Sequence, residues 1–285
     1  MTKENRLGAF AWMMAAQALF ASMALGARFV GRDVPWQEVA AARMLVALVL
    51  TWAIARARGV SLAITDRKHA WLRTVFGTVA AAATFYVYAR PALPIGDAVT
   101  VLNTSPIFVA LLAWPLLGER VSRGVALAIS LAFLGILAVA RPSLQASSGE
   151  LGVCLLSAVC TAFAMMWLRR MGPGESSEAI VFHFMWVGTL ALGVASVPVW
   201  KTPDLHGATF LLFTGITGGL AQLAMTRAYS KDHAARVSAV GYSGVVFARL
   251  FALPVLGEVP SVAQVAGSVL VVVAGVVLAL SGRRS

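Results

Sequence analysis

The stretch Trp114-Pro115-Leu116-Leu117-Gly118-Glu119 closes a long apolar run, and 139 residues later Leu253-Pro254-Val255-Leu256-Gly257-Glu258 closes another. At the same shift Phe108 falls on Phe247 and Ser122 on Ser261, while a shift of 140 lays Glu38 and Arg43 on Glu178 and His183. A helix-ending Pro-x-x-Gly-Glu repeated at this separation divides the chain into two copies of one unit. The copies are residues 7–142 and 149–281, with short segments 1–6 and 282–285 outside them.

Both copies are apolar throughout. Of 285 residues, 59% are hydrophobic and 12% charged, against about 25% charged in a soluble domain, so a water-soluble fold is excluded. A helix crossing the ~30 Å hydrocarbon layer needs about 20 mostly apolar residues. Uncharged runs of near that length cover 7–27, 74–89, 98–118, 124–140, 151–168, 179–200, 205–226 and 259–282, and two further apolar segments, 36–55 and 236–256, contain Arg43 and Arg249. The expectation is an all-α membrane protein of ten transmembrane helices, five in each copy. Because five is odd, the second copy enters the membrane upside down, giving the inverted repeat that recurs in transporters. Breakers and charges mark the joints at 56–59, 141–145, 171–175 and 201–204. Most joints are short, so helices adjacent in sequence are expected to pack as antiparallel neighbours.

The net charge of +11 would suggest nucleic acid on a soluble protein. On this chain it reports the two sides of a lipid bilayer, and no nucleic-acid partner is expected. Placing the N-terminus and every second loop on one side collects 16 of the 23 Lys and Arg, Arg73 among them, and leaves 5 opposite. Cytoplasmic loops are the basic ones, so both termini are expected in the cytoplasm. Cys154 and Cys160 share one apolar run and read as small core residues, while His69, His183, His206 and His233 are scattered. With no metal-ligand spacing, no clustered catalytic groups and no phosphate-binding GxxxxGK[ST] loop, the expectation is no enzyme, no metal and no cofactor.

Polar residues inside the spans are the candidate site. In the fourth helix Asn103, Thr104 and Ser105 precede Pro106, whose ring is expected to loosen the Leu102 carbonyl near mid-helix. The ninth helix has Gly241, Tyr242, Ser243 and Gly244, but Val245 where the first copy has Pro106. The two breaks are therefore not expected to be equivalent. Interrupted helices at a repeat interface point to a binding site, whereas small residues there also serve close helix packing. Arg43 and Arg249 each lie about 10 Å inside a helix end, where a charge costs ~3 kcal/mol at the bilayer centre. They either bind a carboxylate or pair with Asp33, Glu38 or Glu258. His183 is a packing residue or a titrating gate. Helix three carries Gly77, Ala81, Thr84 and Tyr88 on one face, helix eight Thr214, Gly218 and Gln222, and helix one Trp12, Gln17 and Ser22. Such stripes line a cavity or glue helices. Trp36, Trp71 and Trp200 read as interfacial anchors. The substrate-binding set is Gln17, Arg43, Thr84, Tyr88, Asn103, Ser105, His183, Gln222, Tyr242 and Arg249, with hinges at Pro106, Gly241 and Gly244.

AlaLeuProIleGlyAspAla (92–98), SerProIlePhe (105–108), ProLeuLeuGlyGluArg (115–120) and LeuGlyIleLeuAlaValAlaArgPro (134–142) together resemble the EamA-type drug/metabolite transporter superfamily. The resemblance implies ten helices around a central cavity, a place in a bacterial inner (plasma) membrane, and transport of small metabolites, often outward. Within that superfamily the chain is similar to bacterial amino-acid exporters, including the aromatic type. All twelve acids lie in loops or within a turn or two of a helix end, whereas proton- and sodium-driven carriers commonly keep a carboxylate in the interior. The expectation is alternating-access export of a small solute such as an amino acid, by uncoupled downhill transport or exchange. A carrier of another metabolite (nucleoside, vitamin, S-adenosylmethionine) and a proton-coupled drug exporter remain open alternatives.

Overall fold

The computed structural model describes residues 3–30, 34–89, 95–140, 147–172, 174–256 and 261–281. The side chains of Arg28, Tyr88 and Arg249 lie outside the described residues, as do Asp33 and Glu258. The elements are helical: α1 (Lys3–Phe29), α2 (Trp36–Arg58), α3 (Arg67–Tyr88), α4 (Ile95–Leu102), α5 (Ser105–Leu117), α6 (Arg123–Ala140), α7 (Ser148–Met171), α8 (Ser177–Ser196), α9 (Leu205–Lys231), α10 (Ala234–Gly241), α11 (Ser243–Leu256) and α12 (Val262–Ser281), with one 3-10 turn at Val197–Val199. Among the described residues seven segments are long and apolar enough to cross a membrane, one of them running through α4 and α5. Three further apolar helices are shorter: Arg123–Ala138, Ala234–Ala248 and Val262–Ala274.

Local chemistry sets the helix ends. Asp66, Ser147, Ser176 and Asp204 each accept a backbone N–H in the first turn of α3, α7, α8 and α9, removing one of the four donors a helix start leaves unpaired. At Ser147 the cap is reciprocal in residue type, with Glu150 three positions on, and the Ser147 hydroxyl also donates to the Glu150 carboxylate at 2.9 Å. Gly59 and Gly118 end α2 and α5 at φ 64° and 71°, the left-handed turn that glycine takes without a Cβ clash. Gly118 thereby explains the Gly of the Pro-x-x-Gly-Glu motif.

The fourth apolar segment does not bend at Pro106 as the sequence suggests; it stops short of it. Asn103 N–H reaches back to Val99 O and Thr104 N–H to Val101 O. The Asn103 amide and Thr104 hydroxyl donate to the same two carbonyls at 2.8 and 2.6 Å. Pro106 then falls in the first turn of α5, where its missing N–H has no intrahelical acceptor to lose. The ninth segment breaks at Tyr242, between α10 and α11. Asn103 and Tyr242 are 139 residues apart, so the breaks fall at corresponding positions but differ in make-up, the first two residues long and followed by proline, the second one residue long and flanked by glycines.

Helices adjacent in sequence are not the main packing partners, contrary to the short-loop expectation. The most extensive pairings join the two halves: α1 with α9, α6 with α12, α3 with α7, and α2 with α8. Small residues make these seams. A methyl group at Gly135 would stand 2.6 Å from Gly267 O across the α6–α12 seam, and one at Gly219 would stand 3.0 Å from Ala47 Cβ between α9 and α2. Lipid is as apolar as leucine, so close backbone approach and dispersion replace the hydrophobic drive between helices. Meanwhile Leu111, Trp114, Leu190 and Val194 lie 58–72% exposed on the outside of the bundle, a surface only a bilayer would cover.

Candidate functional site

Arg43 in α2 and Arg73 in α3 are the principal polar groups of the interior. Their exposures are 6% and 1%, and among the described residues neither guanidinium makes a hydrogen bond or ion pair through Arg43 Nε or Arg73 Nε and Nη1. Each instead lies against an aromatic ring, Arg43 5.8 Å from the Phe85 centroid and Arg73 3.9 Å from that of Phe184. Glycines make the room. A methyl at Gly218 would stand 2.7 Å from Arg43 Nε and 2.8 Å from Met23 Sδ, and one at Gly77 would collide with Arg73 Nη1.

The sequence count assigned Arg73 to a basic loop. The Asp66 cap starts α3 at Arg67, which puts Arg73 nearly two turns inside, about 9 Å from the helix end. An Asp-x-x-His cap ahead of the uncharged run is the signal that could have found it. Glu38, one proposed partner for Arg43, faces the other way: Oε2 accepts Lys201 N–H at 3.1 Å and Oε1 has no partner.

The remaining predicted residues divide. On α9, Thr214, Gly218 and Gln222 share a buried face, with Thr214 Oγ1 and Gln222 Nε2 unpartnered. At the second break the Gln17 side chain of α1 lies against Gly244 and 3.7 Å from a methyl placed on Gly241, and donates to Met13 Sδ at 3.9 Å. Tyr242 is fully buried there with its hydroxyl unpartnered. His183 bonds Thr74 Oγ1 through Nδ1 at 2.9 Å and meets Trp71 and Trp186 edge to face at 5.0 and 6.0 Å, the environment of a packing histidine. Trp71 thus supports His183 rather than acting only as an anchor. Thr84 is turned to the α3–α7 seam, bonding Ser157 at 2.8 Å, and Ser157 donates on to Ala80 O. Asn103 caps α4, Ser105 opens α5, and Ser22 donates to Ala18 O of its own helix. Tyr88 and Arg249 are placed on α3 and α11 by backbone alone.

All described ion pairs gather at one end of the bundle. Glu119, the acid of the repeated motif, accepts from Arg169 Nε at 2.7 Å and from Ala234 N–H at 2.8 Å, with the His233 ring 3.4 Å away. Burial pushes the Glu119 carboxyl upward, but the nearby His233 ring and the hydrogen bonds from Arg169 and Ala234 outweigh it and hold the group below the ordinary glutamate range. The first turn of α10 adds the positive end of a helix dipole. Glu178 Oε1 bridges Arg58 at 2.8 Å and Arg227 at 2.7 Å, while Arg227 lies 4.8 Å from the Trp12 ring. Glu175 accepts from Thr65 and Asp66 N–H at 2.8 Å each, and Asp232 holds Arg236 at 3.0 Å. These contacts tie the ends of α2, α3, α5, α7, α8, α9 and α10 together. Among the described residues no group of three or more metal-ligating side chains occurs.

Comparison with known proteins bears on this geometry. The EamA-like transporter family matches the chain twice, at residues 7–141 and 148–281. The pseudopaline exporter CntI of Pseudomonas aeruginosa is 31% identical over 250 residues, 86% of each chain. Solute carrier family 35 member G1 of Homo sapiens is 27% identical over 72% of this chain and 60% of its own length. An S-adenosylmethionine uptake transporter of Rickettsia bellii is 21% identical over 71% and 69%. One crystal structure superposes with a TM-score of 0.83 over 98% of this chain and 99% of the other at 18% identity, a likeness of fold.

Proposed function

Since the chain belongs to the EamA-like transporter family, a multi-pass membrane family, we propose that it exports small carboxylate-bearing metabolites, amino acids among them, by alternating access. The observation that carries this reading is the pair of broken helices, α4–α5 and α10–α11, in an apolar bundle whose interior holds uncompensated polar groups. In this reading the three shorter apolar helices also span the bilayer, giving ten helices in two inverted repeats at 7–142 and 149–281. The cross-half pairing supports it, because exchanging the halves turns α1–α9 into α7–α3 and leaves α2–α8 and α6–α12 unchanged. The basic, ion-paired end faces the cytoplasm of a bacterial inner membrane, and both termini lie there. Gly241, Gly244 and the Asn103–Thr104 turn are the hinges about which the half-helices move. Outward transport is favoured by the likeness to a named exporter over 86% of the chain.

Among the described residues no carboxylate pairs with Arg43 or Arg73, and in this reading transport runs down the solute gradient or by exchange. Reconstitution tests this. Liposomes preloaded with a panel of labelled solutes should release at least one of them saturably, with no dependence on an imposed pH or sodium difference. Accumulation against a gradient driven by either ion refutes the uncoupled mechanism, and no release above empty liposomes refutes the carrier.

A further inference from the structure

Resting on that carrier reading, the charge of the interior narrows the solute. Arg43 is the eighth residue of α2 and Arg73 the seventh of α3. The C-terminal end of α2 and the N-terminal end of α3 lie together, because Arg58 reaches Glu178 and Asp66 reaches Glu175 in one ion-paired cluster. Arg43 and Arg73 therefore stand about 10 Å inside opposite ends of the bundle. Both stand in the same buried interior.

Neither cation has a counter-ion within the described protein. Glu178 is consumed by Arg58 and Arg227, Glu119 by Arg169, and Asp232 by Arg236. Glu38 is turned toward Lys201 at the helix end. Buried polar groups in folded proteins are hydrogen-bonded, and buried charges are paired. Among the described residues Arg43 Nε and Arg73 Nε and Nη1 depart from these rules within one interior, at residue exposures of 6% and 1%. Phe85 and Phe184 engage the guanidiniums as ring contacts, which do not supply an acceptor for the N–H donors. Gly218 and Gly77 leave room for the two arginine side chains themselves.

We infer that the interior is built for an organic dianion carrying two carboxylates, one received by Arg43 and the other by Arg73. The guanidinium fork matches a planar carboxylate in two parallel hydrogen bonds. A zwitterionic amino acid brings one carboxylate and an ammonium that the two cations repel. A cationic solute is repelled outright. The dianion neutralises both arginines at once.

The test uses the full chain, purified and reconstituted, with glutarate, glycerol 3-phosphate, leucine and lysine as probes. Glutarate should bind tightest and weaken as potassium chloride is raised. Arg43→Gln and Arg73→Gln should each weaken glutarate binding about 10–100-fold, the loss of roughly one charge-assisted pair, while leucine binding changes little. Arg73→Lys, which keeps the charge and loses the fork, should fall between. Size-exclusion profile and thermal transition establish that each variant is folded, and Gly218→Ala supplies a second disruption of Arg43 with both charges retained. Leucine or lysine binding as tightly as glutarate overturns the proposal, as does unchanged glutarate binding in folded Arg43→Gln or Arg73→Gln. Tighter binding of glycerol 3-phosphate overturns the carboxylate assignment in favour of phosphate. In proteoliposomes, release of leucine or lysine with glutarate retained overturns the dianion and leaves the carrier reading intact. Release of none of the four refutes both.

Discussion

Replacing Arg73 with methionine should make the solute-free protein more stable. The side chain is 1% exposed, Nε and Nη1 have no partner among the described residues, and the guanidinium lies 3.9 Å from the Phe184 ring. An uncompensated buried charge costs about 3–5 kcal/mol. A desolvated cation–π contact returns about 2 kcal/mol. Methionine is long, flexible and apolar, fills much of the same space and keeps contact with the ring. The difference leaves Arg73→Met about 1–3 kcal/mol more stable, a rise in Tm of roughly 5 °C at about 2–4 °C per kcal/mol. Thermal unfolding followed by tryptophan fluorescence, at equal detergent and salt, reads the shift. Adding glutarate should raise Tm in the wild type and leave the variant unmoved, so the order of the two proteins narrows or inverts with ligand. A lower Tm for Arg73→Met without ligand would refute the reasoning, because Arg73 would then be holding the fold together.

Three further outcomes are expected. Glu119→Gln weakens the clamp between Arg169 and the first turn of α10 and should cost about 2 kcal/mol, since hydrogen bonds to a charged group contribute ~1.5–3 kcal/mol. Because the folded carboxyl is held below its ordinary range, that contribution is complete above the unfolded value of about 4.3 and is lost as pH falls through the folded value. The Tm difference between wild type and variant should therefore be flat above about pH 5 and shrink below about pH 4; a difference that grows in acid contradicts the clamp. Thr84→Val removes only the bond to Ser157, which keeps its bond to Ala80 O, so stability should fall by about 1 kcal/mol while solute release is unchanged, as measured side by side in proteoliposomes. Gly135→Ala places a methyl 2.6 Å from Gly267 O and forces α6 from α12, lowering stability by about 1–3 kcal/mol by the same unfolding assay; an unchanged Tm would mean the seam is loose.

Much of the architecture follows from one-dimensional signals. Apolar runs of span length need only composition, and the Pro-x-x-Gly-Glu motif carries its own local cause in the left-handed turn at Gly118. The excess of basic residues at one end is likewise local chemistry. Helix pairing was not legible in this way. Short loops pointed to neighbours in sequence, but in lipid the partner is chosen by which faces permit close approach, and the glycine contacts Gly135–Gly267 and Gly219–Ala47 join residues about 130–170 positions apart.

The site divides along the same line. Sequence alone placed Arg43 inside an apolar segment, pointed to interruptions near Asn103–Pro106 and Gly241–Gly244, and put the acids in loops or near helix ends, since each depends on residue type and position within one segment. Only the tertiary structure decided that Thr84 serves a seam, that His183 is packed by Trp71, Trp186 and Thr74, and that Glu38 turns away from Arg43. It also moved Arg73 from an imagined loop to the interior. The physical reason is that a charge is costly or useful according to what surrounds it in three dimensions. That Arg43 and Arg73 have no counter-ion among the described residues is a property of several helices together, and no single stretch of sequence contains it.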